Sequence, residues 1–440
     1  MLVRAFPAWP GLLLLAAGAG LAQLGPVRGL PLFGYAAIAC LLMGGVVLVP
    51  WVAQVIFRTM QFSGATPVVL ALAQLRGAPG QAAVSLAAIV ASFSLMAAMA
   101  IMVASFRDSL DAWLDAVLPA DLYLRTTHSG DTGWLEPGFE ERLRALPQVA
   151  RADFLRSARV TLDPARPAVS VLARDRAAPA FPVGARYEPR AGDPPSAWIS
   201  EAVFDLYGFS PGERIRIPLG SNNHEFIVAG VFRDYARQHG AIQIDRAAYV
   251  TLTGDRRVND AALWLAPGTS PAAAMDAIRA LPGAGELDMA PPTEIRELSL
   301  RIFDRSFAVT YAMEAIAVLI GLFGLSSSLG AIVLARRREL GVLRHLGLTR
   351  RQIGAMLAAE GGLLALVGAA AGLAAGGAIA LVLVQVVNRQ SFNWSMELHP
   401  PYLLLTALTC VLILLAVITA IVSGEEAMGM GPVRAVREDW

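Results

Sequence analysis

The chain has 440 residues, of which 55% are hydrophobic and only 16% are charged, a balance typical of polytopic membrane proteins. Its net charge of +1 gives no basic surface for a nucleic acid. The sequence contains no lysine, so it excludes a conventional P-loop ATPase, which needs a phosphate-binding lysine, and it excludes Schiff-base chemistry.

Six apolar segments predict membrane helices, since a span needs about 20 apolar residues. In chain order they are Pro10 to Leu24, Leu32 to Phe57, Ala82 to Phe106, Phe307 to Leu334, Ile353 to Val387 and Tyr402 to Val422. The first segment is short and also fits a secretory signal peptide, so both interpretations stay open.

Arginine bias predicts the orientation of these spans. The short loop between the fourth and fifth segments carries six arginines, namely Arg336, Arg337, Arg338, Arg344, Arg350 and Arg351. Short basic loops face the cytoplasm, so both termini are expected inside and residues 107–306 outside. The outer arginines of the loop, Arg336 to Arg338, are expected to fix topology and to contact anionic lipid headgroups.

The fold class is therefore a polytopic α-helical membrane protein with about six spans and a large extracytoplasmic α+β domain between spans 3 and 4. Strand-like runs, such as Arg159 to Leu162, mix within residues 107–306 with helical runs, such as Glu136 to Leu146 and Ser270 to Leu281, the last of which Ser270 can cap. The expected divisions are two accessory spans (1–60), an amphipathic helix with the first core span (61–106), the extracytoplasmic domain (107–306), three core spans (307–424) and a cytoplasmic tail (425–440). Helical spacing at both ends of the domain fits either stalks that continue the spans or helices packed on the domain.

The arginine-rich loop also has internal order. Leu340, Leu343 and Leu346 recur at helical spacing, Gly347 offers a helix stop, and Thr349 with Gln352 forms a capping box for the next helix. A loop that needed only positive charge would not require an amphipathic helix with its own stop signal. The pattern therefore indicates a surface that another protein contacts.

Other chemistry is sparse in the sequence. The five histidines lack ligand spacing, Cys40 and Cys410 lie in apolar runs, and no catalytic set is found, so neither an enzyme nor a bound metal or cofactor is expected. Two carboxylates, Glu314 and Glu360, fall within apolar spans and are functional candidates by default. Glu360 lies close to the basic loop, which favours an interfacial or arginine-paired role.

A doubled G-x-x-x-G pattern follows Glu360 and allows close helix packing, either within the chain or with a second permease subunit. Its glycines are Gly368, Gly372 and Gly376.

At this point the residues resemble those of the FtsX-like permeases of ABC transporters, the group that includes MacB-type and lipoprotein-releasing permeases. The matching segments are RRRELGVLRHLGLTRRQI, the Glu360 helix with its glycines, Leu72 to Ser92, the tail Gly431 to Asp439, and SEAVFDLYGFSPGERIRIPL followed by HEFIVAGVFRDY. The chain is similar to the C-terminal half of a duplicated ten-span permease. It departs from the family pattern at Ser423 to Gly431, where a basic run is usual.

The resemblance implies a permease subunit in a bacterial inner membrane that binds no ATP itself. A separate ABC ATPase would contact Glu339, Leu343, Arg344 and Leu346, and its ATP-driven motion would reach the outer domain, which handles hydrophobic or lipidated cargo. Further implied partners are a second permease half or a second copy, membrane lipid, and a periplasmic protein, with no nucleic acid. The alternative is a membrane regulator or sensor of an envelope enzyme that transports nothing. A cargo cleft in the outer domain would favour transport, and a flat face would favour regulation.

Overall fold

The computed structural model describes residues 7–60, 65–77, 79–126, 133–136, 138–175, 178–284 and 287–429. These residues divide into two compact units. The helical unit comprises the described residues within 1–106, 307–390 and 397–440. The sheet domain comprises the described residues within 107–306 together with the short segment Ser391–Met396. The predicted tail motif Gly431 to Asp439 lies outside the described residues.

The helical unit combines long apolar helices with several short ones. They are α1 (Trp9–Leu21), α2 (Leu32–Thr59), α3 (Thr66–Gly77), α4 (Pro79–Val117), α9 (Pro292–Ala335), α10 (Arg337–His345), α11 (Arg350–Val382), α12 (Asn388–Phe392) and α13 (Tyr402–Gly429), with a π-helical turn at Leu383–Val387. Four described stretches are long and apolar enough to cross a membrane, namely Leu32–Thr59, Ala82–Val117, Arg350–Phe392 and Tyr402–Ala427. The helix α1 has only 13 residues, and α9 covers the fourth predicted segment.

Two helices, α4 and α9, each contain a boundary between the two units, and both are unbroken there. The helix α4 runs past the predicted span end at Phe106, and α9 begins 15 residues before Phe307. Within the sheet domain, Arg296 of α9 forms ion pairs with Asp111 and Asp115 of α4 at 2.5 and 2.6 Å, and Arg107 lies 3.5 Å from Asp304. The amphipathic spacing read from the sequence thus belongs to continuous helices whose polar faces pair with each other.

The sheet domain has one mixed sheet of ten strands among its described residues. The strands are β1 (Leu122–Thr126), β2 (Val149–Val160), β3 (Val169–Arg174), β4 (Pro182–Arg186), β5 (Ser196–Ser200), β6 (Arg214–Leu219), β7 (Asn222–Phe232), β8 (Ala241–Asp245), β9 (Asp260–Leu265) and β10 (Leu287–Ala290). Their order is β10-β1-β9-β2-β3-β8-β5-β7-β4, and β6 pairs with β7. The β3–β8 and β5–β7 pairs are parallel and the others are antiparallel.

Four short helices complete the sheet domain: α5 (Phe139–Arg144), α6 (Glu201–Tyr207), α7 (Arg246–Thr253) and α8 (Pro271–Arg279). Ser200, Asp245 and Ser270 cap the last three by accepting a hydrogen bond from a backbone N–H in the first turn. The cap at Ser270 is the one that the sequence predicted. The helix predicted at Glu136 to Leu146 is shorter, because Gly138 precedes it at φ 79°, outside the helical region.

Candidate functional site

The arginine loop, residues 336–352, folds as a short helix between two long ones. The helix α10 ends at His345, and Gly347 follows at φ 100°, a conformation that glycine adopts without strain. Thr349 Oγ1 accepts from the backbone N–H of Gln352 at 3.3 Å, and the Gln352 side chain accepts from the N–H of Thr349 at 2.9 Å. The predicted capping box is therefore formed, and it starts α11 at Arg350.

The apolar side chains of α10 divide between two faces. Leu340 is fully buried and the half-buried Leu343 packs beside it, in a cluster that includes Ile353 and Met356 of α11. On the other face Val342 is 57% exposed and Leu346 is 74% exposed. This exposed apolar pair on a short helix is a candidate protein contact surface.

The four residues predicted to contact an ATPase therefore lie in different environments. Leu346 and Glu339 are exposed, Arg344 is partly exposed, and Leu343 is turned toward its own chain. Val342 was missed by the sequence reasoning, although it is one turn before Leu346 on the same helix face.

Beneath α10, the buried side chain of Arg336 forms hydrogen bonds with residues of three helices. Its Nη1 donates to both oxygens of Glu360 in α11 at 2.9 and 3.0 Å, and its Nε donates to Glu339 of α10 at 3.1 Å. With the amide of Gln74 in α3 turned so that its oxygen faces the guanidinium, that oxygen accepts from Arg336 Nη2 at 3.2 Å. The prediction that Arg336 contacts lipid headgroups is wrong, because its side chain is buried against Glu360.

The intramembrane candidates have separate outcomes. Glu360 is buried and paired with Arg336, as just described. The side chain of Glu314, on α9, lies outside the described residues.

The glycine ladder packs against α4 of the same chain. A Cβ added at Gly368 would lie 2.7 Å from Ile89, and one at Gly372 would lie 3.1 Å from Phe93. One at Gly376 would lie 2.7 Å from the backbone oxygen of Ser94. Close backbone contact therefore explains why this face carries glycine.

The segment Ser391–Met396 is fixed in the sheet domain by a buried polar cluster. Ser395 donates to Glu201 through its backbone N–H at 3.0 Å and through its hydroxyl at 2.5 Å. Arg233 donates to Ser395 Oγ at 2.8 Å, and the Tyr235 hydroxyl donates to the carbonyl of Ser395 at 2.9 Å. Burial raises the pKa of Tyr235 to about 12, so this phenol stays a hydrogen-bond donor at neutral pH.

Aromatic side chains surround this polar cluster. Trp394 stacks on Phe392 at 5.3 Å and meets the edge of Tyr235 at 5.5 Å. Trp113 of α4 donates its indole N–H to the carbonyl of Arg233 at 3.1 Å. The sequence of residues 391–396 does not indicate this role, because the partners of Ser395 lie far away in the chain, at Glu201, Arg233 and Tyr235.

The sheet domain also contains a cavity of about 770 Å³. One wall is the face formed by β1, β2, β3, β9 and β10, and another is formed by apolar residues of α4 and α9, including Trp113, Ile295 and Leu298. A volume of this size is within the range of small-molecule binding sites.

In the part of the chain that the structure describes, no group of three or more histidine, cysteine or acidic side chains is placed so that it could hold a metal ion.

Two family models match the chain. The model described as the FtsX-like permease C-terminal domain matches residues 311–432, and the MacB-like periplasmic core domain matches residues 82–281. An uncharacterized ABC transporter permease protein of Mycobacterium tuberculosis is 29% identical over 340 residues. The match covers 72% of this chain and 38% of that relative, so the chain spans well under half of the relative's length.

Two solved structures are distantly similar to this chain. The periplasmic region of MacB from Actinobacillus actinomycetemcomitans gives a TM-score of 0.30 at 10% identity, covering 42% of this chain and 94% of that one. The extracellular domain of the transporter YknZ from Gram-positive bacteria gives 0.27 at 10% identity, covering 39% and 98%.

Proposed function

We propose a function from the premise that this chain carries the FtsX-like permease and MacB-like periplasmic core domains and so belongs to the FtsX-like ABC transporter permeases. The chain is the permease subunit of an ABC transporter of the bacterial inner membrane. It couples ATP hydrolysis by a separate ATPase to movement of the extracytoplasmic sheet domain, which handles hydrophobic or lipidated cargo. A second permease half or a second copy completes the membrane part.

The observation that carries this proposal is the exposed face of α10. Val342 and Leu346 project an apolar pair from a loop that is otherwise rich in arginine. Behind them, Leu340 packs on α11, and Arg336 joins α10 to α11 through Glu360. A force applied at Leu346 would therefore reach α11 through buried contacts rather than bend a loose loop.

Two features of the sheet domain support transmission of that movement. The helices α4 and α9 enter the domain without a break, and their ion pairs hold the two stretches together. The segment Ser391–Met396, which follows α11 in the chain, ends in the buried cluster of Ser395, Glu201 and Arg233. Three chain connections to the membrane helices thus lead into fixed positions of the domain.

The cavity in the sheet domain favours transport over regulation alone. A regulator that binds another protein needs an exposed flat face, whereas this domain offers a concave, mostly apolar space of about 770 Å³. The cavity therefore supports the proposal that the sheet domain binds a ligand.

The test is co-purification of the full chain with its ATPase from the native membrane. Changing Leu346→Asp should lower the recovered ATPase at least about tenfold, since a charge is placed in the centre of a desolvated contact. Leu346→Met, which keeps the apolar surface, should retain it. Leu398→Asp is the matched control, because Leu398 is also exposed but lies in the connection between α12 and α13. Equal recovery with Leu346→Asp and Leu398→Asp would refute the assignment of α10.

A further inference from the structure

The cavity of the sheet domain has one charged row across its floor. In the strand register Asp288 lies beside Arg125, Arg125 beside Asp260, Asp260 beside Leu155, and Leu155 beside Arg174. Residues directly opposite each other on antiparallel strands point to the same face, and all five line the cavity. The row therefore crosses five adjacent strands on the cavity side.

The charges in this row are not equally balanced. Arg125 pairs with Asp288 at 3.2 Å, and both side chains are largely exposed. Arg174, at the other end, is half-buried, and its Nε has no hydrogen-bond partner among the described residues. Burial, and then the charge of Arg237, lower the pKa of Arg174, whereas Asp260 and Asp234 act in the opposite direction.

Six carboxylates and four arginines line the cavity. Among the described residues, ion pairs hold all of these charged groups except Arg174, Asp260 and Glu294. Arg174 is therefore the available cation. Arg237 forms an ion pair with Asp234 at 2.8 Å. Asp260 is separated from Arg174 by Leu155 in the row, which puts their Cα atoms about 10 Å apart at the usual strand spacing. Burial raises the pKa of Asp260, although Arg125, Arg237 and Arg174 oppose that rise. A half-buried guanidinium that lines the cavity and has no ion pair among the described residues favours an anion that can accept from it.

The rest of the cavity suits a hydrocarbon chain. Leu298 and Ile302 of α9 are 52% and 59% exposed although they line the cavity, and Phe154, Phe181 and Phe232 add aromatic surface. Large apolar side chains left open to solvent inside a concave site gain free energy when a ligand covers them. The cavity therefore combines an apolar wall with a single anion-seeking group.

We propose that this cavity binds a single-chain anionic amphiphile, with its carboxylate or phosphate on Arg174 and its acyl chain along Leu298 and Ile302 of α9. This inference rests on the proposed function only in taking the bound amphiphile as cargo. The shared chemistry is one acyl chain with an anionic head, and a fatty acid and a monoacyl phosphate are the two sources.

The test is photo-crosslinking of the full chain in phosphatidylcholine nanodiscs without an ATPase. The probes are a photoreactive palmitate, a photoreactive lysophosphatidic acid and an uncharged photoreactive monoacylglycerol. Mass spectrometry should place crosslinks of one or both anionic probes on Leu298, Ile302 and their neighbours in the cavity. The stronger anionic probe identifies the source. Equal labelling by the uncharged probe would overturn the proposal.

Three variants are each expected to change photo-labelling in a stated direction or to leave it unchanged. Arg174→Gln should weaken labelling by the anionic probes about 10- to 100-fold, through loss of a charge-assisted hydrogen bond. Asp260→Asn should strengthen it, because a repelling carboxylate is removed. Arg216→Gln, on the exposed edge of β6 and outside the cavity, is the matched control and should change nothing. Weaker labelling with Asp260→Asn would overturn the proposal in favour of a zwitterionic or cationic ligand.

A second variant, which fills the cavity, keeps the proposal testable if Arg174→Gln fails to fold. Leu298→Trp adds bulk at an exposed site of α9 and should abolish labelling while the chain keeps its thermal stability. Labelling that persists in this variant would contradict the assigned cavity. Because the labelling assay contains no ATPase, it tests this inference alone. Recovery of the ATPase with Leu346→Asp tests the proposed function alone. Either one can therefore fail while the other holds.

Discussion

At the scale of single residues, the Arg336–Glu360 pair is the contact on which the arginine loop depends. Glu360→Gln leaves a buried guanidinium without its carboxylate, which destabilises proteins by about 3 to 5 kcal/mol. We expect a lower midpoint of thermal unfolding and weaker ATPase binding. Unfolding of the purified chain, followed by near-ultraviolet circular dichroism, measures the first effect.

The double variant Arg336→Met, Glu360→Met is the control for that prediction. With both charges removed, no ion is left buried, so the loss of stability should be smaller than the sum for the two single variants. Additive losses would show that the two side chains act separately.

The same pair shows what the sequence could predict of the site. A carboxylate inside an apolar helix marked Glu360, and its distance from the loop suggested an arginine partner. Six arginines in the loop have the same local character, however, and only tertiary packing brings one of them under α10. The choice of Arg336 over Arg337 and Arg338 therefore could not be made from the sequence.

At the scale of elements, the contact between α11 and α4 depends on glycine. In Gly376→Ala the new Cβ would meet the backbone oxygen of Ser94 at 2.7 Å, and backbone cannot move aside as a side chain can. Overpacking of this kind destabilises by about 1 to 3 kcal/mol. We expect a lower midpoint of thermal unfolding for the purified chain.

The adjacent Gly377 provides the matched control, because a Cβ there meets nothing within 4 Å. Gly377→Ala should leave the unfolding midpoint unchanged or raise it slightly, through better helix propensity. If both variants lower the midpoint equally, the requirement is for flexible glycine rather than for a close α4–α11 contact.

Elements with strong local signals were predictable, and those set by tertiary pairing were not. The capping box at Thr349 and the cap at Ser270 follow from short-range hydrogen bonds, so they read directly from the sequence. The strand β2 runs over Val149–Val160, whereas the sequence indicated a strand only at Arg159 to Leu162. Charged residues such as Arg151, Asp153 and Arg156 obscure its alternation. Arg151 and Asp153 pair with each other within the strand, whereas the partner of Arg156 is Asp255, far along the chain.

At the scale of the whole molecule, the connection after α11 is a direct chain link from the membrane helices to the sheet domain. Glu201 accepts two hydrogen bonds from Ser395 and lies 3.6 Å from Arg233. Glu201→Ala removes both acceptor bonds, so the segment Ser391–Met396 should open more often. We expect amide hydrogen exchange at Ser395 to become about 5- to 100-fold faster.

The same variant separates docking of this segment from assembly with the ATPase. Since Glu201 bonds to Ser395 and lies beside Arg233, both in the sheet domain, Glu201→Ala should leave ATPase recovery unchanged while it lowers coupled transport. Glu225→Ala is the control, because Glu225 is an exposed carboxylate with long ion pairs at 3.9 and 4.0 Å, which contribute little. Fast exchange at Ser395 together with normal transport would show that this connection does not carry the movement, and it would leave the continuous helices α4 and α9 as the route.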